Sequence, residues 1–504
     1  MRSSHVKSAR LIIASVIAIL MVANGALAQF ELVNGGAVIA NTSDSNNDDT
    51  AFPTVVKIPD WVAAGDRADP SANYYMYYGN HGGDYIKMKW AASINGSWTE
   101  YSFTGGTGPF PSRGVFDVGS ANNDPSRDDY DHISAPDVII DDVNQRFVMY
   151  FHGERPSSSP ASRVHERFVT TSGTGLNFND AVTGNGEPGH GPIEVDVLTD
   201  SGLTRDVWIG DDYMRVFEKA GRFYGVGKRG LINAAPATGD IWAQPTGNSD
   251  SDPFEEAWER EDTPESNWAT LTSDPANGDS QDQYYSPGAS FLASQEFADH
   301  PNNPNGRRVF SNSSQERLNH VSVNLLANDL LEVFFYVRQR NRSAPDEFNS
   351  IYRMVYDISA SDFQDWTMAR DAAGQVIFDV VLTPEDFTAA VEESLGAGYD
   401  PSLYADPVSL GDTHIFIDDD GSKYLFFSYV SDEFGGAQGE GAISAVRLVL
   451  LGDVNLDGVV NFLDISPLIG LLTTSVYQIE ADTNQDRSVN FLDIAPFIDL
   501  LIGQ

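Results

Sequence analysis

Hydrophobic and polar positions alternate along most of this chain in short segments, a pattern that predicts β-strands. The segment 132–153, HISAPDVIIDDVNQRFVMYFHG, contains two runs rich in β-branched and aromatic residues, separated by the polar turn DDVNQ. It predicts a β-hairpin with Asp137 near the start of the first strand and His152 near the end of the second. The same pattern recurs along the chain, which indicates a repeated unit.

From residue 52 onward the predicted strands form five successive groups, and each group has the pattern of an antiparallel meander. Four-stranded units repeated in this way are typical of a β-propeller, so we predict a mainly β chain with five blades. A large β-sandwich is the alternative. The predicted first strands begin near Thr54, Asp137, Arg215, His320 and Asp412. The fifth group lacks an outermost strand, which the N-terminal segment FELVNGGAVIAN is placed to supply.

Several stretches add detail to the predicted blades. LNFND (176–180) is predicted as the short last strand of the second group, and 244–312 as loop-rich excursions over one face of the ring. TPEDFTAAVEESL predicts a helix with Thr383 as its N-cap. The aromatic runs YYMYY, VFFYV and YLFFSY are predicted to be blade core, whereas Tyr78 and Trp61 are candidate platforms for a sugar ring.

The first 28 residues have the composition of a secretory signal peptide: a basic start, an apolar run and Ala26, Leu27 and Ala28 before Gln29. We predict bacterial-type export with cleavage after Ala28, and an uncleaved membrane anchor is the alternative. The chain contains no cysteine, so no disulfide stabilises it. Its formal net charge of −42 disfavours nucleic acid and anionic membranes as partners. We therefore predict a secreted protein that does not insert into a membrane once the signal is removed.

A duplicated motif ends the chain, because GDVNLDGVVNFLDISPLIGLL (452–472) returns as ADTNQDRSVNFLDIAPFIDLL (481–501). Oxygen ligands spaced over twelve residues, with a backbone carbonyl at position 7, suit a hard cation such as Ca²⁺. Two calcium sites are thus predicted. The ligands of the first are Asp453, Asn455, Asp457, Val459, Asn461 and Asp464, and those of the second are Asp482, Asn484, Asp486, Ser488, Asn490 and Asp493.

This duplicated pair resembles the dockerin module, in which two calcium loops each precede a helix and which docks onto cohesin modules. Arg487 replaces the glycine expected at position 6 of the second loop, which weakens the case for that site. Phe462 with Leu463, and Phe491 with Leu492, stand where cellulosomal dockerins commonly have Ser or Thr. The resemblance implies a cohesin-like or cell-surface partner, and these departures leave open a module that folds back on the propeller.

The region before this module resembles the five-bladed propeller glycoside hydrolases, the superfamily that contains family 43 arabinanases and xylosidases. The resemblance rests on APDV (135–138), on YYMYYGNH and FVMYFHG, and on the SINGSWTEY tail. It implies three acids projecting from first strands into an axial funnel. The chain departs from this pattern because Thr54 stands where the base is expected, and Arg215 and His320 where a glutamate is expected. We assign 1–28 to the signal, 29–50 to an N-terminal linker with a ring-closing strand, 51–450 to the propeller, and 451–504 to the dockerin-like domain.

The candidate catalytic groups are Asp137, Asp412 and His320. One aspartate would act as the base that activates water, and His320 or the other aspartate would donate the proton. Arg215 would orient a hydroxyl or carboxylate of the substrate. Further candidates for substrate binding lie near strand ends: Tyr213, His81, His132 and His152.

Three functions are consistent with the sequence. The first is hydrolysis of glycosidic bonds in a polysaccharide or its oligosaccharides, and the second is glycan binding without cleavage. The third is eliminative cleavage of a uronic-acid polymer, which would use His320, Tyr213 and Arg215.

Overall fold

A computed structural model of the chain gives the architecture of its blades and of its C-terminal module. The structure describes residues 29–37, 39–41, 50–79, 85–101, 115–117, 132–155, 164–178, 191–192, 194–198, 204–208, 213–220, 222–228, 239–243, 257–259, 287–292, 294–303, 306, 308, 316–339, 350–361, 365–371, 373–398, 409–430, 442–456, 460–474, 477–484 and 488–502. The predicted signal segment, His81 and the predicted ligands Asp457, Val459 and Asp486 lie outside these residues. No helix in the described part is long and apolar enough to cross a membrane.

The strands in chain order are β1 (Gln29–Leu32), β2 (Ala40–Asn41), β3 (Ala51–Lys57), β4 (Tyr74–Gly79), β5 (Tyr85–Ala91), β6 (Thr99–Glu100), β7 (Phe116–Asp117), β8 (His132–Asp141), β9 (Arg146–Arg155), β10 (Val164–Ser172), β11 (Gly191–Pro192), β12 (Glu194–Leu198), β13 (Thr204–Trp208), β14 (Tyr213–Lys219), β15 (Arg222–Lys228), β16 (Gly239–Ala243), β17 (Ala257–Glu259), β18 (Glu316–Leu326), β19 (Leu330–Gln339), β20 (Ile351–Asp357), β21 (Thr367–Met368), β22 (Phe378–Leu382), β23 (Ser409–Ile417), β24 (Lys423–Val430) and β25 (Ala442–Val449). The helices are α1 (Pro287–Leu292), α2 (Gln295–Ala298), α3 (Pro384–Leu395), α4 (Ile465–Thr474) and α5 (Ile494–Ile502).

These strands form five separate, mostly antiparallel sheets. In chain order the sheets contain β3-β4-β5-β6 with β7 beside β5, then β8-β9-β10-β11, then β14-β15-β16-β17-β12-β13, then β18-β19-β20-β21 with β22 beside β20, and last β23-β24-β25-β1 with β2 beside β25. The first strand of each sheet is its inner strand: β3, β8, β14, β18 and β23. Successive inner strands contact one another, and β23 contacts β3, so the inner strands form a closed cycle. The mainly β, propeller-like architecture predicted from the sequence is confirmed.

The chain closes its last sheet with its N-terminal segment, as predicted. Gln29 pairs with Val449 and Leu32 with Val446, so β1 is the outer neighbour of β25. The predicted helix is also confirmed, since α3 follows Thr383, whose side chain accepts a hydrogen bond from the backbone N–H of Asp386.

Some predicted details are wrong. Residues 176–178 of LNFND are not a strand, and β11 is the outermost strand of the second sheet instead. The third sheet also gains β12 and β13, and β12 runs parallel to β17.

The core lies between neighbouring sheets, so both faces of a blade strand are buried. In β4, Tyr75 and Tyr77 pack with Phe147 of the second sheet, whereas Tyr74 and Tyr78 pack with Phe426 of the fifth. The prediction that the aromatic runs form the core therefore holds for the described residues. Tyr78 is wrong as a platform for a sugar ring because its side chain is only 2% exposed.

Candidate active site

A β-bulge interrupts the pairing of four inner strands with their neighbours at equivalent places. It lies between Ala51 and Thr54 in β3, Ser134 and Asp137 in β8, Asn319 and Ser322 in β18, and Gly411 and His414 in β23. The bulges contain Phe52, Ala135 and Asp412, which have positive φ values of 60°, 51° and 46°. Positive φ is uncommon for residues other than glycine, and bulges of this kind redirect neighbouring side chains.

One residue from each inner strand joins it to an adjacent inner strand, and we call this set the inner belt: Thr54, Asp137, Arg215, Ser322 and His414. Each belt residue directly precedes a Val or Ile. Backbone N–H groups at three of these apolar positions donate across the sheet boundary, from Val138 to Thr54 Oγ1 at 3.3 Å, from Val216 to Asp137 Oδ2 at 2.8 Å, and from Ile415 to Ser322 Oγ at 2.6 Å. His414 Nε2 lies 3.1 Å from the Val55 carbonyl oxygen.

Asp137 and Arg215 form a buried ion pair at the centre of the belt. Arg215 Nη1 lies 3.2 Å from Asp137 Oδ1 and donates to the Pro136 carbonyl at 2.8 Å, while Nη2 donates to the Pro53 carbonyl at 3.1 Å. Burial raises the pKa of the Asp137 carboxyl above its ordinary value, although the charge of Arg215 and the Val216 N–H act in the opposite direction. This arginine therefore connects the first three inner strands.

His414 is a second belt residue that is affected by that positive charge. Burial and the charge of Arg215 lower the pKa of its imidazole to about 3. A neutral imidazole with Nε2 facing a carbonyl must carry its proton on Nε2. His414 consequently serves as a hydrogen-bond donor between the fifth and first sheets.

Asp412 occupies the bulge of β23, two residues before the belt position. Its carboxylate is 1% exposed and accepts hydrogen bonds from Ser428 Oγ at 2.6 Å and from Tyr336 Oη at 3.4 Å. These donors come from β24 of the same sheet and β19 of the fourth sheet, so Asp412 is held where two sheets meet.

The predicted site residues thus fall into separate groups. Asp137 and Arg215 are in direct contact, and His152 is buried in β9 opposite Ser134. His320 lies in the bulge of β18, while Tyr213 and His132 begin β14 and β8; the structure describes the backbone of these three and not their side chains.

The residues equivalent to Asp137 in the fourth and fifth sheets are Ser322 and His414, two residues after the predicted His320 and Asp412, although the strands themselves begin earlier, at Glu316 and Ser409. A Val or Ile follows each belt residue, but Val321 also follows His320, so this pattern does not distinguish Ser322 from His320.

The C-terminal loops repeat one hydrogen-bonding arrangement. Asp464 accepts from the backbone N–H groups of Asn455 and Asn461 at 2.9 and 2.7 Å, and Asp493 accepts equivalently from Asn484 and Asn490 at 3.1 and 2.8 Å. Asn461 and Asn490 also cap the short 3₁₀ turns before α4 and α5.

The described donors of these loops fit a hard cation. Asp453 and Asp464 in the first loop, and Asp482 and Asp493 in the second, are all at most 5% exposed. Carboxylates buried in this way need compensating charge, and alternating carboxylate and amide oxygens are the donors that Ca²⁺ prefers. Among the described residues, no group of three or more His, Cys, Asp or Glu side chains that could hold a metal ion is found.

Four apolar side chains at the starts of the two C-terminal helical segments face solvent. Phe462 and Leu463 are 74% and 67% exposed, and Phe491 and Leu492 are 75% and 68% exposed. The duplication therefore presents the same apolar pair twice, on a module whose own core contains Leu468 and Phe497.

Comparison with known proteins gives a family for this module only. Residues 451–501 match the family model of the dockerin type I domain. Dockerin type I domains bind calcium and dock onto cohesins, which agrees with the donor set of the two loops. An uncharacterized protein, R118, from Acanthamoeba polyphaga mimivirus is 25% identical over 202 residues, covering 39% of this chain and 49% of that protein. The chain thus spans about half the length of the curated relative it matches.

Three solved structures illustrate the similarity of the fold. A thermostable family-43 glycoside hydrolase is 12% identical, with coverage of 79% of this chain and 89% of that one and a TM-score of 0.39. The α-L-arabinofuranosidase from Lactobacillus brevis is 11% identical, with coverage of 81% and 94% and a TM-score of 0.41. The α-L-arabinanase of Cellvibrio cellulosa, complexed with arabinohexaose, is 12% identical, with coverage of 80% and 92% and a TM-score of 0.36. Similarity at this level concerns the fold alone and assigns no activity.

Proposed function

We propose that this chain is an exported glycoside hydrolase that acts on a polysaccharide or its oligosaccharides. In this proposal residues 51–450 form five blades, one for each sheet, and residues 451–504 form a module with two calcium sites that docks onto a cohesin-like partner. Cleavage after Ala28 would leave Gln29, in the closing strand β1, as the first residue of the exported chain.

The environment of Asp412 is the observation that carries the proposal of hydrolysis. A left-handed conformation costs a residue other than glycine about 1 to 2 kcal/mol, and such conformations cluster at functional sites. Phe52 and Ala135 share this conformation in their own strands, so the bulge alone is a feature of the fold. What is specific to the fifth sheet is a carboxylate in the bulge that accepts hydrogen bonds from the hydroxyl groups of Ser428 and Tyr336. Asp412 is the proposed base that activates water.

The other site residues take roles that follow from their contacts. Asp137 uses one carboxylate oxygen for Arg215 and the other for Val216, so we assign it to holding Arg215 in place within the inner belt. His320 is the proposed proton donor, and Tyr213, His81 and His132 are proposed to bind substrate. The burial of His152 favours a structural role for that residue.

Hydrolysis is tested with purified protein on a panel of polysaccharides, by measuring released reducing sugar. Asp412→Asn should lower the rate about 100- to 10,000-fold, the usual contribution of a general base. Glu332→Gln is the matched control, because Glu332 is also a buried carboxylate on an inter-sheet boundary but is paired with Arg353 and Lys423. Equal rates for Asp412→Asn and wild-type protein would remove Asp412 from the mechanism.

Glycan binding without cleavage is a second candidate, favoured by a specific observation. Asp137 is the one carboxylate of the inner belt, and both of its oxygens are engaged within the belt. If the wild-type protein releases no sugar yet is retarded by one polysaccharide in affinity electrophoresis, this second function replaces the first.

Eliminative cleavage is the weakest of the three functions. Arg215, which would have to meet a uronate, is already held by Asp137 and two carbonyl groups. Products that absorb as unsaturated uronates would reverse this judgement.

A further inference from the structure

The calcium-loop module packs directly on the fifth sheet. β25 ends at Val449, and the first loop begins at Asp453. A Cβ atom on Gly421, in the turn between β23 and β24, would overlap the Leu456 carbonyl oxygen of the first loop, and Gly421 has a φ of +86°. Both the close approach and the backbone conformation require glycine at this position.

One arginine connects this module to the strand that closes the ring. Arg447 lies in β25 directly opposite Glu31 of β1, and its Nη1 is 2.7 Å from Glu31 Oε2. Its Nη2 forms an ion pair with Glu480 of the module. The side chains of Arg447 and Glu480 are 13% and 2% exposed, so the contact between them is protected from solvent.

Glu480 lies beside the first ligand position of both calcium loops. Its carbonyl oxygen accepts a hydrogen bond from Gly452 N at 2.7 Å, and Gly452 immediately precedes Asp453. Glu480 itself is two residues before Asp482. Its carboxylate Oε2 has no hydrogen-bond partner among the described residues, so the pair with Arg447 is the contact that compensates this buried charge.

We propose that calcium binding by the C-terminal module tightens the closure of the propeller-like ring through a bridge formed by Glu480, Arg447 and Glu31. Metal that orders the two loops fixes Glu480 between their first positions. Glu480 then holds Arg447, and Arg447 holds Glu31 and β1 against β25. The inference rests on the calcium sites of the proposed function and is independent of hydrolysis.

Hydrogen exchange of the full chain, with Ca²⁺ or with EGTA, tests this proposal. In the wild-type protein Ca²⁺ should slow exchange in α4 and α5 and also in residues 29–32 and 442–449. The expected slowing in the closing strands is about tenfold, within the roughly 5- to 150-fold range of coupling between two sites.

Two variants break the bridge at opposite ends. Glu480→Gln removes the charge beside the calcium loops, and Glu31→Gln removes the charge on β1, far along the chain from the loops. Both variants should lose most of the calcium-dependent slowing in the closing strands while Ca²⁺ still protects α4 and α5. Glu332→Gln, which breaks a buried ion pair outside the bridge, should keep the full calcium response even where overall stability falls.

Each possible result bears on a different part of the proposal. Calcium that protects α4 and α5 without affecting residues 29–32 and 442–449 would overturn the coupling and leave the calcium sites intact. A full calcium response in Glu31→Gln would also overturn it. Absence of any calcium effect on α4 and α5 would overturn the calcium sites and the coupling together, whereas a rate of hydrolysis, present or absent, bears only on the proposed function.

Discussion

Substitution of Asp137 by Asn should lower the free energy of unfolding of the propeller region, in addition to any effect on catalysis. Asp137 is 4% exposed, and the side chain of Arg215 is 10% exposed. Asn preserves the shape of the side chain but removes the negative charge that faces Arg215 Nη1 at 3.2 Å. Asn offers a single acceptor oxygen, so it cannot accept from both Arg215 Nη1 and the Val216 N–H as Asp137 does.

The expected cost follows from these contacts. Removing one partner of a buried ion pair typically costs about 3 to 5 kcal/mol. Asn retains one oxygen that accepts a hydrogen bond, and burial already opposes ionisation of Asp137, as its raised pKa indicates. We therefore expect a loss of about 2 to 3 kcal/mol, the range of a single hydrogen bond to a charged group.

Urea unfolding followed by tryptophan fluorescence measures this loss from the midpoint and slope of the transition. Thr54→Val is the matched control, since Thr54 occupies the same belt position in β3 and accepts one neutral hydrogen bond from Val138, worth about 1 kcal/mol. An unchanged midpoint for Asp137→Asn, or a larger loss for Thr54→Val, would refute the account of the inner belt. Loss of hydrolysis at unchanged stability would instead assign Asp137 to the reaction.

Three further predictions address other contacts. Burial and the charge of Arg215 lower the pKa of His414 to about 3. The unfolded chain therefore binds a proton at this histidine below about pH 6.5, whereas the native chain binds it only at much lower pH. Stability should therefore fall as pH decreases through this window, and His414→Gln should flatten the fall measured by urea unfolding; an unchanged slope would contradict the assignment. Tyr336→Phe removes one hydroxyl donor from Asp412 and should lower hydrolysis about fivefold, roughly 1 kcal/mol, with unfolding almost unaffected; a large loss of stability would make Tyr336 structural. Gly421→Ala should expose the loop at Leu456 to faster proteolysis, whereas Gly65→Ala, which has open space around it, should not.

Local sequence patterns predicted those parts of the fold that depend on local physics. The cap and the acidic first turn of the helix after Thr383 are adjacent in the sequence, so the start of this helix could be predicted locally. The ring closure was predicted because the last group of strands lacked an outermost strand. The burial of Tyr78 was missed because a blade is covered on both faces, so alternation of polar and apolar residues does not distinguish an inside from an outside. Strands β12 and β13 form a local hairpin, but the pairing of β12 with β17, which joins this hairpin to the third sheet, is between segments distant in the chain and was missed.

The candidate site could be predicted only in part. Four residues were grouped from their places at the starts of strands, and of these the structure places Asp137 and Arg215 in contact; the other two were His320 and Asp412. The register of the fourth and fifth inner strands was not predicted, because a bulge inserts an extra residue without a specific sequence signature. Asp412 was named for its charge, while its left-handed backbone and its contacts with Ser428 and Tyr336 depend on how two sheets meet.

The closure of the ring by β1 has a consequence for how the chain is made. Glu31 and Arg447 are 416 residues apart, so the pairing of β1 with β25 must await synthesis of nearly the whole propeller region. Until then β24 presents an unpaired edge, the kind of surface that recruits other chains into aggregates. Contacts this distant also form slowly, since long loops close at an entropic cost. A chain that stops before residue 442 would thus be left open, with the edge of β24 available to other chains.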